Sequence, residues 1–236
     1  MAKNCHGNFG YEKSFHSFAA EMKERIQKKA DELFNRYGIR SVTMDEIATQ
    51  LGMSKKTIYQ YFSDKDELVD AVIAEVIEFS RECCEKDQIE SPNAIAEVFR
   101  AVDMMNEIFR NMNPGIMFDL ERYHPKTFKR FIDHKNKFLF QTIRLNLERG
   151  IQEGYYRPEI NVEIVAKFRL ESIMIVFNAQ NFADGKFSLA QLHREVLDQF
   201  MFACASLKGY KLITKYKEDR LKKDKQYEAL PANKNK

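Results

Sequence analysis

The stretch from Val42 to Leu68 constrains the fold most, because it holds closely spaced signals for helix starts and helix ends. Thr43 and Glu46 have the Thr-x-x-Glu spacing of a capping box, which predicts a helix beginning at the next residue, Met44. Gly52 is suited to the left-handed conformation that ends many helices. The pattern therefore predicts a short helix over 44–51 followed by a tight turn.

A second short helix is predicted over 55–62, directly after a cap at Ser54. Ile58 and Phe62 are four residues apart and face inward. The other side chains supply two amines, two phenols, an amide and a hydroxyl: Lys55, Lys56, Thr57, Tyr59, Gln60 and Tyr61. Two helices joined by a short Gly turn form a helix-turn-helix, whose second helix lies in the DNA major groove. The alternative is a solvated helix in an ordinary helical bundle.

The segment GIRSVTMDEIATQLGMSKKTIYQYFSDKDELV resembles the DNA-binding region of the TetR family of bacterial transcriptional regulators. The pattern T-x-x-x-IA-x-x-LG-x-S-x-x-T-I-Y-x-YF-x-x-K-x-EL fits throughout, and the close resemblance covers about residues 15–80. Lys56 departs from it, since many relatives have Gly or a small residue there, and this indicates an altered operator. The resemblance implies a repressor that a small molecule releases from DNA, although the sequence leaves activation open.

The helix-turn-helix predicts two kinds of DNA contact. Lysine suits guanine and glutamine suits adenine in the major groove. We therefore expect base contacts from Lys55, Lys56 and Gln60. The resemblance also implies phosphate contacts, which we expect from Thr43, Thr57, Tyr59, Tyr61 and Lys65. The partner is double-stranded operator DNA.

Helical periodicity without strand-like alternation predicts an all-α fold in three parts. Residues 1–65 form the three-helix DNA-binding head, with helices near 15–37, 44–51 and 55–62. Residues 66–208 form a helical body for ligand binding and dimerisation. Residues 209–236 form a basic C-terminal tail, either a solubilising end or a non-specific attraction for DNA. A helix over 66–84 links head and body.

The body has breaks at 113–115 and 124–125 that prevent continuous helix packing and leave room for a ligand. The expected pocket lining combines flexible and aromatic side chains with a few polar groups: Phe99, Met105, Phe109, Met112, Met117, Phe118, Arg122, Tyr123, His124, Phe131 and Phe138. The effector is expected to be a small, largely apolar molecule with one polar or anionic end near Arg122 or His124. Core packing is the alternative role for each of these side chains.

The last two predicted body helices, over 162–182 and 189–207, are apolar on more than one face. Such helices pack both inward and against a partner, which predicts a homodimer and a near-palindromic operator. The expected interface residues are Phe168, Ile173, Val176, Phe177, Val196, Phe200 and Met201.

Composition excludes several other classes of protein. The 236 residues are 44% hydrophobic and 31% charged with a net charge of +3, a soluble globular balance without a membrane span. The absence of a signal stretch and of paired cysteines predicts the bacterial cytoplasm. Redox sensing by Cys83 and Cys84 stays an alternative to packing. We expect no enzyme and no cofactor, because Glu121 and His124 supply only half of a bundle di-metal site.

Overall fold

The computed structural model describes residues 18–110, 112–177 and 187–228. These residues are helical apart from short connections, and the predicted all-α class is confirmed. The helices are α1 (Phe18–Tyr37), α2 (Met44–Leu51), α3 (Lys55–Tyr59), α4 (Lys65–Glu90), α5 (Ala94–Arg110), α6 (Ile116–Tyr123), α7 (Pro125–His134), a π-helical segment (Lys135–Leu139), α8 (Phe140–Gln152), α9 (Val162–Ile175), α10 (Leu189–Cys204) and α11 (Leu207–Glu228). Three predicted regions lie partly outside the described residues. These are the helix start at residue 15, positions 178–182 of the helix predicted over 162–182, and the end of the tail over 229–236.

The caps of the helix-turn-helix form as the sequence predicts. Thr43 Oγ1 accepts a hydrogen bond of 3.1 Å from the backbone N–H of Glu46. Gly52 ends α2 at a φ of +65°, a left-handed conformation in which most other residues would be strained. Ser54 Oγ then accepts from the N–H of Thr57 and caps α3.

Helix α3 is shorter than predicted and ends at Tyr59 rather than Phe62. The N–H groups of Gln60 and Tyr61 bond to carbonyls three residues earlier, at 3.2 and 3.0 Å, so the chain tightens there. Asp64 soon starts the next helix, because its carboxylate accepts from the N–H of Glu67. The side chain of Phe62 is nevertheless buried beneath α3, as predicted.

The packing of the head crosses the boundary predicted at residue 65. Ile47 and Ile58 are fully buried in a core that also includes Leu68 and Val72 of α4. From the body, α6 adds Ile116, Met117 and Leu120 to this core. The hydrophobic core of the head therefore extends beyond residue 65, because α4 and α6 complete it.

Two body helices differ from their predicted limits. Helix α4 runs to Glu90 rather than to residue 84 and ends before Ser91-Pro92, since a residue that precedes proline disfavours helical geometry. The apolar spacing also predicts one long helix through residues 128–150, and the structure divides it with the π-helical segment over 135–139. Between the breaks at 113–115 and 124–125 the sequence predicts a short helix over 116–123, and α6 has these bounds.

The tail predicted from residue 209 is largely part of the body. Helix α11 buries Ile213 completely in the body core. Asn93 Nδ2 donates to the hydroxyl of Tyr216 at 3.3 Å, and Arg220 donates to the carbonyl of Phe99 at 2.7 Å. The count of charged residues alone predicted a tail, because it did not take account of the apolar side chains of α11 that pack on the body core, Leu212, Ile213 and Tyr216.

Candidate nucleic-acid interface and ligand cavity

The exposed surface of α3 and its C-terminal turn carries the predicted base contacts. Lys55, Lys56 and Gln60 are all exposed, while Ile58 and Phe62 anchor the opposite side in the head core. A groove-reading helix requires this division between a rigid apolar seat and a free polar face. The structure thus brings the three side chains together on one surface.

The two lysines of this surface differ in their surroundings. Lys55 Nζ lies 2.9 Å from a carboxylate oxygen of Asp45, and this contact raises the pKa of the amine. Both side chains are more than half exposed, so the pair is weak and can exchange for a phosphate or base. Lys56 makes no ion pair within the described residues, and its ammonium is available.

The residues predicted to contact phosphates differ in how exposed their side chains are. Thr43 and Tyr59 are exposed, and Thr57 and Tyr61 are half-buried. Lys65 Nζ instead donates to the backbone carbonyl of Ile39 at 2.6 Å, and burial lowers its pKa. This lysine therefore ties the loop after α1 to the start of α4, which the residue pattern did not indicate.

The body encloses a cavity of about 220 Å³ among α4 to α10. Its wall is mostly apolar, and five of the predicted pocket residues line it: Met105, Phe109, Met112, Met117 and Phe131. Met105, Phe109 and Met117 lie on the helices beside the break at 113–115, and Met112 lies in the connection itself. Phe131 is on α7, which follows the second break.

The other predicted pocket residues have different surroundings. Phe118 and Arg122 are exposed, and Tyr123 is partly exposed under the guanidinium of Arg40, 5.2 Å from the ring centroid. His124 Nδ1 lies 2.6 Å from Asp66 Oδ1, close enough for an ion pair but without hydrogen-bond angles. The remaining two pack elsewhere, Phe99 against Tyr216 and Arg220, and Phe138 against Arg81 and His134. Neither Arg122 nor His124 lines this cavity, so the anionic end expected near them stays a prediction without support from its wall.

The sequence reasoning missed the polar groups that do line the cavity, of which the most unusual is Arg169. Its guanidinium donates to Ser172 Oγ and contacts His193 Nε2, each at 3.2 Å. Burial lowers the pKa of Arg169 to about 10 and, together with the nearby arginine, that of His193 to about 3. His134 also lines the cavity next to the π-helical segment, and burial lowers its pKa to about 4. The sequence signal that could have indicated this polar group was the position of Arg169 itself, inside a helix that is apolar on several faces.

Helix α6 connects the cavity with the head. Ile116, Met117 and Leu120 line the cavity and belong to the head core as well. Between them, Asp119 Oδ2 accepts a hydrogen bond of 2.8 Å from the backbone N–H of Arg40, in the loop before α2. A shift of α6 would therefore move both the cavity wall and the support of the helix-turn-helix.

Comparisons with known proteins agree with this geometry. The family described as "Bacterial regulatory proteins, tetR family" matches residues 26–72, which cover α2, α3 and most of α1. This segment of the chain thus matches the TetR family. The chain is 35% identical over 107 residues to the HTH-type transcriptional regulator YvaF of Bacillus subtilis, a match covering 44% of this chain and 54% of YvaF. The chain thus aligns with about half the length of that relative.

Two further comparisons extend the likeness into the body of this chain. The HTH-type transcriptional repressor KstR2 of Mycobacterium tuberculosis is 25% identical over 142 residues, covering 58% of this chain and 70% of KstR2. A TetR family regulator from Agrobacterium tumefaciens superposes with a TM-score of 0.65 and 14% identity over 80% of this chain and 100% of its own. At that identity the superposition shows the shared fold alone.

The expected dimer residues divide into one exposed side chain and six that pack within the subunit. Phe168 is 62% exposed. The others contribute to packing within the subunit: Ile173, Val176, Phe177, Val196, Phe200 and Met201. The same apolar faces close the cavity and the body core, and the place of these six side chains in a dimer interface stays a prediction. The exposed apolar side chains of α9 are Ile164, Phe168 and Ile175.

The other chemical possibilities find little support in the part of the chain that the structure describes. Cys83 and Cys84 are buried, and burial raises the pKa of Cys84 to about 12, which disfavours a reactive thiolate. No group of three or more His, Cys, Asp or Glu side chains there is placed to hold a metal ion. No helix in the described ranges is long and apolar enough to cross a membrane.

Proposed function

We propose that this protein is a sequence-specific DNA-binding transcriptional repressor of the TetR type, acting in the bacterial cytoplasm and released from its operator by a small ligand. The observation that carries the proposal is the exposed polar surface of α3, held on a buried apolar seat within the segment that matches the family. The named relatives are transcriptional regulators, and we assign no catalytic activity.

Selection of binding sites from random DNA by the purified full-length protein tests the first part. We expect enrichment of one near-palindromic sequence, with half-sites about one helical turn apart and hence about 34–36 Å between the recognition helices of a dimer. Uniform affinity across unrelated sequences, with a steep salt dependence, would indicate only non-specific phosphate binding.

We propose a homodimer that uses the outer face of α9. Ile164 and Phe168 are four residues apart and more than half exposed, and Ile175 continues the same region of the helix. Two α3 helices are needed because one short helix reads few base pairs. The substitution Phe168→Asp should yield a monomer by light scattering at micromolar concentration. Lys167→Asp, a neighbouring exposed position outside the stripe, is the control and should remain dimeric.

We propose that the cavity holds the effector, because its apolar wall continues into the core of the head through α4 and α6. A ligand shifts an equilibrium only by its preference for one conformation. A 100-fold loss of operator affinity requires about 2.7 kcal/mol of coupling, which is within the usual allosteric range. By reciprocity the operator must weaken ligand binding by the same factor.

A ligand titration with and without operator tests the coupling. Compounds that raise the thermal midpoint of the free protein are selected first and then titrated against both forms. We expect weaker ligand binding to the DNA complex, by the factor measured in the reverse experiment. Equal affinities would separate the cavity from the control of DNA binding and leave the DNA-binding assignment intact.

A further inference from the structure

Arg169 is a buried cation without a compensating carboxylate among the described residues. Its side chain is 7% exposed, and its polar contacts are Ser172 and His193, both neutral. The ring of Phe200 lies 5.6 Å from the guanidinium carbon. With a pKa of about 10, the side chain is still charged near pH 7. A buried charge is costly unless it is paired, so this arrangement requires an explanation.

His193 extends the donor surface of Arg169. A guanidinium can only donate hydrogen bonds, so the ring nitrogen beside it, Nε2, is the acceptor. The proton of the neutral ring is then on Nδ1, which is buried and has no hydrogen-bond partner. The ring is 1% exposed and is held edge-on against Phe109 at 5.3 Å between centroids. A fixed N–H donor thus lines the same cavity as the cation.

The acidic side chains of the cavity wall have their own basic partners. Glu97 lies 3.0 Å from Arg149, and Asp87 lies 3.6 Å from Arg100. Burial also raises the pKa of Glu97. Among the described residues, the acidic side chains of the wall therefore leave no free negative charge for Arg169.

We propose that Arg169 and His193 bind the carboxylate of a small amphipathic monocarboxylic acid, whose hydrocarbon part fills the apolar cavity. This inference rests on the proposed effector control and names the chemical class of the effector. Two contacts leave most of the five N–H donors of the guanidinium free, and their planar arrangement matches a carboxylate. The cavity of about 220 Å³ is smaller than the 300–1,000 Å³ of typical drug sites, which favours a short to medium chain.

The test compares octanoate with octanol, which has the same chain and no charge, by calorimetric titration of the full-length protein. We expect octanoate to bind at least about ten-fold more tightly than octanol, because hydrogen bonds to a charged group are the stronger kind. Octyl phosphate is the third probe. Tighter binding of octyl phosphate than of octanoate, or no binding of octanoate, would overturn the carboxylate assignment.

Two variants and a control locate the head group. Arg169→Met should abolish the preference for octanoate over octanol, and it should raise the thermal midpoint of the ligand-free protein by removing an uncompensated charge. Arg169→Lys keeps the charge but loses the planar fork, and it should retain part of the preference. Arg122→Met, an exposed arginine outside the cavity, should behave as wild type. An unchanged preference in both Arg169 variants would overturn the proposal.

Operator binding separates this inference from the proposed function. If octanoate binds through Arg169 and lowers operator affinity, both stand. If it binds through Arg169 but leaves operator affinity unchanged, the site stands and effector control by this cavity fails. If another compound releases the operator while octanoate does not bind, the regulator assignment stands and the carboxylate site fails.

Discussion

The head and the body of this protein differ in how their polar side chains find hydrogen-bond partners. In the head, Thr43, Ser54 and Asp64 cap their helices through neighbouring N–H groups. The described buried side-chain atoms without a hydrogen-bond partner all lie beyond residue 90, on Ser91, Asn106, His124, His134 and His193. Two of these, His134 and His193, line the cavity. The capping side chains of the head bond to neighbouring N–H groups, whereas the body leaves ring nitrogens of His134 and His193 without a partner beside the apolar cavity.

This contrast indicates a division between stability and binding. An unpaired buried polar group costs about 1–3 kcal/mol. A region that only needs to present a rigid helix has no reason to bear that cost. A region that recognises a ligand has a reason to bear this cost, because polar groups left unpaired in the free protein gain partners when the ligand binds. The following experiments test this difference.

The largest expected effect concerns packing. Ile47 is fully buried in the head core, whereas Ile108 lines the cavity and is only partly buried. Ile47→Ala should lower the free energy of unfolding by about 2–5 kcal/mol, since it creates a void in close-packed surroundings. Ile108→Ala removes the same atoms beside an existing space and should cost clearly less. Urea unfolding of both variants measures this, and equal costs would contradict the loose packing of the body.

The next effect concerns operator recognition. Lys56→Ala should reduce discrimination at one base-pair position by about 1–3 kcal/mol, because we expect its exposed ammonium to reach a base edge. Tyr59→Phe removes only a hydroxyl expected at a phosphate, and it should weaken all sequences alike. Fluorescence anisotropy with a set of single-base operator variants distinguishes the two. A uniform loss for Lys56→Ala would reassign this side chain to the phosphate backbone.

A smaller effect concerns the connection between the regions. Asp119→Ala removes the acceptor for the N–H of Arg40, whereas Asp119→Asn keeps an oxygen in the same place. The alanine variant should reduce the ligand-induced change in operator affinity by about ten-fold, or about 1.4 kcal/mol of coupling. The asparagine variant should stay close to wild type. Parallel operator titrations with and without ligand measure this, and full coupling in both variants would exclude this hydrogen bond from the pathway.

The smallest effect is a pH dependence within the head. Burial, and then the nearby charge of Glu75, raise the pKa of Asp31 to about 6 from an ordinary value near 3.8. The folded state therefore binds more protons between these values, and stability falls as the pH rises from about 4 through about 6. Asp31 is partly exposed, so we expect a change of about 1 kcal/mol. Urea midpoints of wild type should show it, and Asp31→Asn should lack this component. Superimposable profiles would contradict the assignment.

Much of the head could be predicted because its signals are local. Thr43, Gly52 and Ser54 act on neighbours within five residues, and their spacing is visible in the chain. The end of α3 at Tyr59 was less predictable, because a tightening of the last turn depends on how Phe62 reaches the head core. The cavity was predicted only in part: its position beside the break at 113–115 follows from the sequence, but its polar residues do not.

The sequence by itself determined the all-α class, the helix-turn-helix and the side chains on its exposed surface, because hydrophobic period and capping act over a few residues. Only the tertiary structure decided which apolar faces close the body, that Lys65 is tied to Ile39, and that Arg169 and His193 meet from α9 and α10. Those contacts join residues 24 or more positions apart. Their geometry depends on how whole helices cross, and no short sequence pattern specifies that.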